Sequence, residues 1–222
     1  MHNRIIIFDM DGTLYDLDDV VSMNYGMQVE FLSLKKNISK KESVSYLAEN
    51  RIFPTITKES KSATEFFLQI GLDKKEWTEY REEHFDISKI KKENAVTDSV
   101  IYDFTKYGTL VLLTSNSFAN TQKILDYLEI FIDNFSEVIC SDRFPYLEPF
   151  KKKRAMEYLS EKYDVSFPSI LSIGDRFSTD IQPLLDLGGK GILVKKPSSL
   201  KSLLSDLSLN RLQSNIDYEY YQ

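Results

Sequence analysis

The sequence predicts an α/β fold: a parallel sheet covered by helices on both faces, interrupted after its first strand by an all-helical insert. Three observations carry this. Ile5-Ile6-Ile7-Phe8 is a short unbroken apolar run that ends in an acid, Asp9, as expected of a strand buried on both faces. From about residue 18 to 90 the apolar residues recur only at helical spacing. After about residue 95, apolar runs of strand length alternate with amphipathic stretches, which implies a parallel sheet.

In the insert, Met23, Met27, Phe31 and Leu34 share one helical stripe, and Val44, Leu47 and Ala48 another. Phe66, Phe67 and Ile70 mark a third helix stopped by Gly71. Trp77, Tyr80 and His84 line one side of a fourth. Asp16, Asp18 and Asp19 are read as opening the first insert helix, since acids favour helix N-termini. Beyond the insert, Leu110 to Leu113 reads as a strand, Thr121 to Leu128 as a helix and Val138 to Cys140 as a short strand. Residues 151–163 read as a helix, Ile170 to Ile173 as a strand and Ile181 to Leu187 as a helix stopped by Gly188-Gly189. Ile192 to Val194 is another strand. The expected division is a core of residues 1–16 and 92–210, an insert of 17–91, and a polar tail of 211–222. Ser214 to Gln222 is polar and tyrosine-rich and is expected to be frayed or loosely docked.

Of the 222 residues, 42% are hydrophobic, enough for a sizeable core. The net charge of −6 gives no electrostatic footprint for nucleic acid or an anionic membrane. The lysine pairs at 35–36, 74–75 and 91–92 are scattered and read as solvated helix faces. Cys140 is the only cysteine, so no intrachain disulfide forms, which fits the cytoplasmic location expected for the chain. The run after Met1-His2-Asn3-Arg4 is too short for a signal-peptide core. Two histidines, His2 and His84, speak against a His-based zinc site or triad, and His84 reads as an ordinary helix residue. The eight glycines form neither GxGxxG nor a P-loop.

In open α/β sheets ligands bind beyond the carboxyl ends of the strands. The first strand ends in Asp9-Met10-Asp11-Gly12-Thr13, the second in Thr114-Ser115-Asn116, and a later one in Gly174-Asp175 with Asp180 following. Acids and a hydroxyl thus converge on one rim. Carboxylates without histidine or thiolate are the hard-oxygen set that suits Mg2+. Crowded carboxylates repel, so a divalent cation is needed if they ionise together. Magnesium takes phosphate oxygens as ligands, and Lys151-Lys152-Lys153 adds positive charge nearby, so phosphoryl chemistry follows.

Phe8 to Leu14 (FDMDGTL) resembles the first motif of the haloacid dehalogenase-like superfamily. Thr114 resembles the second, a lysine at the head of the 151–163 helix the third, and Gly174-Asp175 with Asp180 the fourth. The order and strand-end placement match over residues 4 to about 196, and the insert resembles that family's first class of helical cap. The resemblance implies a Rossmann-like core with a mobile cap, and a phosphatase acting on a small phosphorylated metabolite; the acidic balance already leads us to expect no nucleic acid or membrane partner. It implies Asp9 as the nucleophile that forms an aspartyl-phosphate. Asp11 would protonate the leaving oxygen and then activate water, and Thr114 would bind a phosphoryl oxygen. Mg2+ would rest on Asp9, the backbone carbonyl of Asp11, and Asp175, with Asp180 holding the lysine or a metal-bound water.

The third motif here reads Glu148-Pro149-Phe150-Lys151-Lys152-Lys153, without the usual Lys-Pro-x-Pro. The apolar register of Ala155, Met156 and Leu159 puts the lysine at Lys152, with Lys151 the alternative. Ser115 is the alternative to Thr114, Ser115 and Asn116 stand with it as substrate contacts, and Tyr15 stands where the chain leaves the core and is a further candidate to line the site. A dehalogenase would not need Asp11. A phosphomutase on the same core, and a non-catalytic binding module, remain alternatives.

Overall fold

The computed structural model describes residues 4–54, 62–143, 152–209, 211–215 and 217–222. In chain order the elements are β1 (Ile5–Phe8), α1 (Val21–Lys36), α2 (Lys40–Glu49), α3 (Ala63–Gln69), α4 (Lys74–His84), α5 (Asp98–Phe104), β2 (Thr109–Leu113), α6 (Phe118–Leu128), β3 (Glu137–Ile139) and α7 (Lys152–Tyr163). They continue with β4 (Ile170–Gly174), α8 (Gln182–Leu185), β5 (Lys190–Val194), α9 (Ser199–Ser208) and β6 (Tyr218–Tyr221). Contacts within the chain divide it into two units, Met1–Asp16 with Ile90–Gln222, and Leu17–Lys89. No helix of the described residues is long and apolar enough to cross a membrane.

The first unit is a six-stranded sheet in the order β3-β2-β1-β4-β5-β6, all parallel except the last pair. β1 lies in the middle, registered on β2 (Ile5↔Thr109) and on β4 (Ile5↔Ile170). Its four residues are all buried, because helices cover both faces. On one face Ile5, Ile7, Val111 and Leu113 pack against Ala155, Met156 and Leu159 of α7 and Leu184 of α8. On the other, the Phe8 ring meets Phe104 of α5 edge to face at 5.1 Å. The chain runs outward from β1 to β3 and then crosses to β4 on the opposite side of β1. That is the switch point at which open sheets form their ligand crevice.

Two helices, α5 and α9, went without individual prediction, although their spans carry apolar residues that end up buried: Val100, Ile101 and Phe104, and Leu200, Leu203 and Leu207. The expected 181–187 helix is shorter, entered through a π-helical turn at Phe177–Ile181 and closed by Gly188 at φ 87°. The expected frayed tail is corrected. Tyr218–Tyr221 pairs antiparallel with β5, and Tyr218 is fully buried with its hydroxyl donating to Asp206 Oδ2 at 2.6 Å. Tyrosines look polar in composition but carry large apolar bodies, and here two hydrogen bonds to α9 anchor the segment, Tyr218 donating to Asp206 and Asp217 accepting from Ser202.

In the second unit the helices have well-made starts. Ser39 and Glu42 form a capping box on α2, Ser62 caps α3 and Asp73 caps α4. Gly71 follows α3 at φ 78°, as a helix stop requires. The core is aromatic: Phe31 sits 5.3 Å from Phe67, 5.0 Å from Trp77 and 5.4 Å from Tyr80. Two predicted stripes are turned. Leu34 is 68% exposed, while α1 buries Met27, Val29, Phe31 and Leu32, because α1 packs against both α2 and α4 and its buried arc swings that way. On α2, Ser43 and Leu47 are buried whereas Val44 and Ala48 are exposed. Asp18 and Asp19 lie in a 3-10 turn, Leu17–Asp19, ahead of α1 rather than in its first turn. His84 is exposed and its ring stacks on Tyr80 at 4.0 Å.

Candidate active site

At the end of β1, Asp9 is held by its N–H donating to the Ile173 carbonyl at 2.9 Å. The chain then turns sharply, the Met10 carbonyl accepting from the N–H groups of Thr13 and Leu14. Gly12 makes that turn at φ 82°, and a Cβ there would overlap the Asp175 carboxylate, so only glycine fits. Asp11 is only half-buried. Its carboxylate accepts from the Tyr15 hydroxyl and from Asn116 Nδ2 at 2.6 Å. At the end of β2, Thr114 is buried and its Oγ accepts from the Asn116 N–H at 3.1 Å, while Ser115 is exposed.

Lys152, the first residue of α7, donates to Asp9 Oδ1 at 2.5 Å and to Asp180 Oδ1 at 2.7 Å. Ala155, Met156 and Leu159 face the core, which turns Lys152 to the sheet's carboxyl edge. Lys151 lies outside the described residues, as does the segment Glu148-Pro149-Phe150. At the end of β4, Gly174 leaves room for Asp180, whose Cβ would collide with any side chain there. Asp180 is heavily held: Oδ2 accepts from the Arg176 N–H at 2.9 Å, Oδ1 from the Thr179 hydroxyl at 2.9 Å, and its backbone carbonyl from Ser172 Oγ at 2.6 Å.

Burial pushes the Asp9 carboxyl well above the usual range; Lys152 pulls the other way, but Asp180, Asp175 and Asp11 add to the rise. Asp175 is pushed up to about 7, again by burial first and then by Asp180. Burial would favour a neutral Lys152, yet Asp180 and Asp9 outweigh it and its ammonium is held above the ordinary lysine value.

Carboxylate oxygens of Asp9, Asp175 and Asp180 lie within 4.8 Å of one another. This set fits a metal ion. The donors are hard oxygens, and Asp175 Oδ1 is buried without a hydrogen-bond partner, a state that costs free energy unless something positive occupies it. Asp180 is the weakest candidate ligand of the three, since Lys152, Arg176 and Thr179 already use its oxygens. Asp11 is outside the cluster with its carboxylate on Tyr15 and Asn116, so its own part in metal binding would fall to the backbone.

Nine predicted site residues thus meet or adjoin one rim: Asp9, Asp11, Tyr15, Thr114, Asn116, Lys152, Asp175 and Asp180 within one hydrogen-bonded set or carboxylate cluster, and Ser115 beside it, facing solvent. Sequence reasoning missed the groups that hold Asp180 in place, Ser172, Arg176 and Thr179. Ser172 was legible only as a polar residue inside an apolar strand. It also missed that Asn116 holds Asp11.

Similar folds occur in a HAD phosphatase from Thermococcus onnurineus (TM-score 0.59, 20% identity, 90% of this chain and 97% of that one). They also occur in the HAD-family protein YfnB from Bacillus subtilis, bound to magnesium (TM-score 0.52, 16% identity, 91% and 98%). A third is a 2-haloacid dehalogenase from Pseudomonas syringae (TM-score 0.52, 16% identity, 92% and 99%). At these identities the likeness is one of fold. No curated protein matches the chain. The sequence model of the haloacid dehalogenase-like hydrolases matches residues 4–188, and with that match, this sheet and this carboxylate rim, the chain belongs to that hydrolase family.

Proposed function

We propose that this hydrolase is a magnesium-dependent phosphatase that cleaves a small phosphorylated metabolite through an aspartyl-phosphate on Asp9. The observation that carries the reading is the Asp9–Lys152–Asp180 bridge beside an Asp175 oxygen that lacks a partner. A carbon–halogen displacement has no use for such a cluster of acids, and phosphoryl transfer does.

An Asp9 carboxylate oxygen attacks phosphorus in line. The P–O bond to the leaving group breaks, and Asp11 gives the departing oxygen its proton. Asp11, now ionised, takes a proton from water, which attacks the phosphorus of the mixed anhydride. Inorganic phosphate leaves and Asp9 is restored as a carboxylate. Lys152 holds Asp9 in a single orientation and offers positive charge to the transferring group. Tyr15 and Asn116 hold Asp11, and Thr114 lies buried at the strand end where a phosphoryl oxygen would come. Asp9, Asp175 and the Asp11 carbonyl would hold magnesium, whose chemistry there is to neutralise phosphoryl charge and the mutual repulsion of the acids.

The test is phosphate release across a panel of phosphorylated metabolites, with magnesium and with chelator. Release that needs magnesium supports the reading. A protein that releases phosphate from no member of the panel, or that works undiminished in excess chelator, sinks it.

A further inference from the structure

The loop that carries Asp175 and Asp180 hangs from β4; Asp180 itself is held by the Arg176 N–H and the Thr179 hydroxyl, but the outer wall of the loop, Arg176, Phe177, Ser178 and Thr179, is all exposed. It closes as a π-helical turn, Phe177–Ile181, a rare form that occurs frequently at functional sites. We propose that the C-terminal strand β6 is a brace for this loop, and that Tyr221 is a positioning residue that acts on Asp175 and Asp180 through Phe177.

The sheet register carries the argument. Gly191 of β5 has no side chain, and a Cβ there would overlap Cγ2 of Ile181, so the far end of the π-turn rests on bare β5 backbone. Tyr221 is paired with Gly191 across the antiparallel β5–β6 ladder. Directly opposed residues present their side chains on the same sheet face. The Tyr221 ring therefore emerges on the face where Ile181 lies, and it meets Phe177, the near end of the turn, at 5.0 Å and 55°. Both ends of the turn rest on one cross-strand pair. The strand itself is anchored elsewhere. Tyr218 donates to Asp206 of α9, Asn215 Nδ2 donates to the same carboxylate at 3.1 Å, and Ser202 Oγ donates to Asp217 at 2.7 Å. An anchored strand pressing on a loop of mutually repelling acids limits how far that loop can relax outward.

Two measurements on the full chain test the brace. The first, amide exchange across residues 174–182 in metal-free protein, is independent of the proposed function. The second, calorimetric magnesium affinity, rests on that reading. Tyr221→Ala and Phe177→Ala should each speed exchange in 174–182 and weaken magnesium binding about tenfold, the lower end of the range for outer-shell partners. The double variant should be no worse than either single, because both remove one contact. Tyr221→Phe, which keeps the ring, should behave as wild type. Wild-type exchange in Tyr221→Ala, or additive losses in the double variant, overturns the brace. Should Tyr221→Ala detach β6, seen as faster exchange in α9 as well, Phe177→Ala decides alone. A wild-type protein that binds no magnesium defeats the metal reading, and the exchange data still decide the brace.

Discussion

The sheet unit and the helical unit are built from different materials and spend them differently. The sheet unit packs Ile, Val and Leu from strand to helix and gathers at its rim four acids and a buried lysine. The helical unit packs Phe31, Phe66, Phe67 and Trp77 into an aromatic core. Buried carboxylates crowd one another and oppose folding, whereas a buried aromatic cluster drives it. One unit holds chemistry at the expense of stability; the other, among its described residues, holds stability and gathers no such cluster of acids.

The largest expected effect separates the two properties in the sheet unit. Asp9→Asn keeps the shape but removes the attacking charge. Phosphate release should fall about 10³-fold or more, with a melting temperature equal to or above wild type because a crowded buried acid is gone. Retention of a tenth of the activity would remove Asp9 from the role of nucleophile. In the helical unit the converse holds. Phe31→Ala should lower unfolding free energy by about 3–5 kcal/mol, read from the denaturant midpoint, since Phe31 contacts three other rings and is almost wholly buried. A loss under about 1 kcal/mol would mean the aromatic cluster does not hold that unit together.

Lys152→Ala should slow turnover by about 10²–10³-fold, the range for a charge-stabilising donor in a water-poor site. Lys153 is exposed, a turn of about 100° away on the helix, and Lys153→Ala should be mild. A severe Lys151→Ala with a mild Lys152→Ala would move the role one residue back.

The same acids make the metal-free protein pH-sensitive. Asp175 sits at about 7 against roughly 3.9 for an unfolded aspartate, and Asp9 is raised in the same direction. Between those values the folded chain binds more protons than the unfolded one, so stability falls as pH rises from about 4 to about 7. A bound cation replaces those protons. Magnesium should therefore raise the melting temperature more at pH 8 than at pH 5.5, compared with chelator at each pH. Equal shifts at both would show that the acids are ionised without metal.

The two units also differed in how far they could be read. Strands buried on both faces announce themselves as unbroken apolar runs, and the residue that ends such a run is fixed at the rim. Asp9, Thr114 and Asp175 were legible for that reason, and Lys152 because Ala155, Met156 and Leu159 leave α7 one orientation. The partners of Asp180 were not, since Arg176 acts through its backbone and Thr179 through an ordinary exposed hydroxyl. β6 was hidden because its anchors on α9, Ser202 and Asp206, declare themselves only in three dimensions. Helical stripes are ambiguous in another way. The heptad-like spacing fixes a set of faces, and the neighbours choose among them.

The smallest expected effect tests that ambiguity on α2. The apolar stripe in the sequence runs through Val44 and Ala48, yet the structure buries Ser43 and leaves Val44 42% exposed. Ser43 is 0% exposed and its Oγ has no hydrogen-bond partner. An unpaired hydroxyl in an apolar contact destabilises, and serine is a poorer helix former than alanine. Ser43→Ala should therefore stabilise the protein, by about 1 kcal/mol once the small loss of packing is set against both gains. Val44→Ser should change stability by less than about 0.5 kcal/mol, as surface substitutions do. The stripe as written in the sequence demands the reverse: Ser43→Ala neutral on an exposed face, and Val44→Ser a loss of more than about 1 kcal/mol from a core position. Denaturant midpoints of the two variants decide which face of α2 is inside.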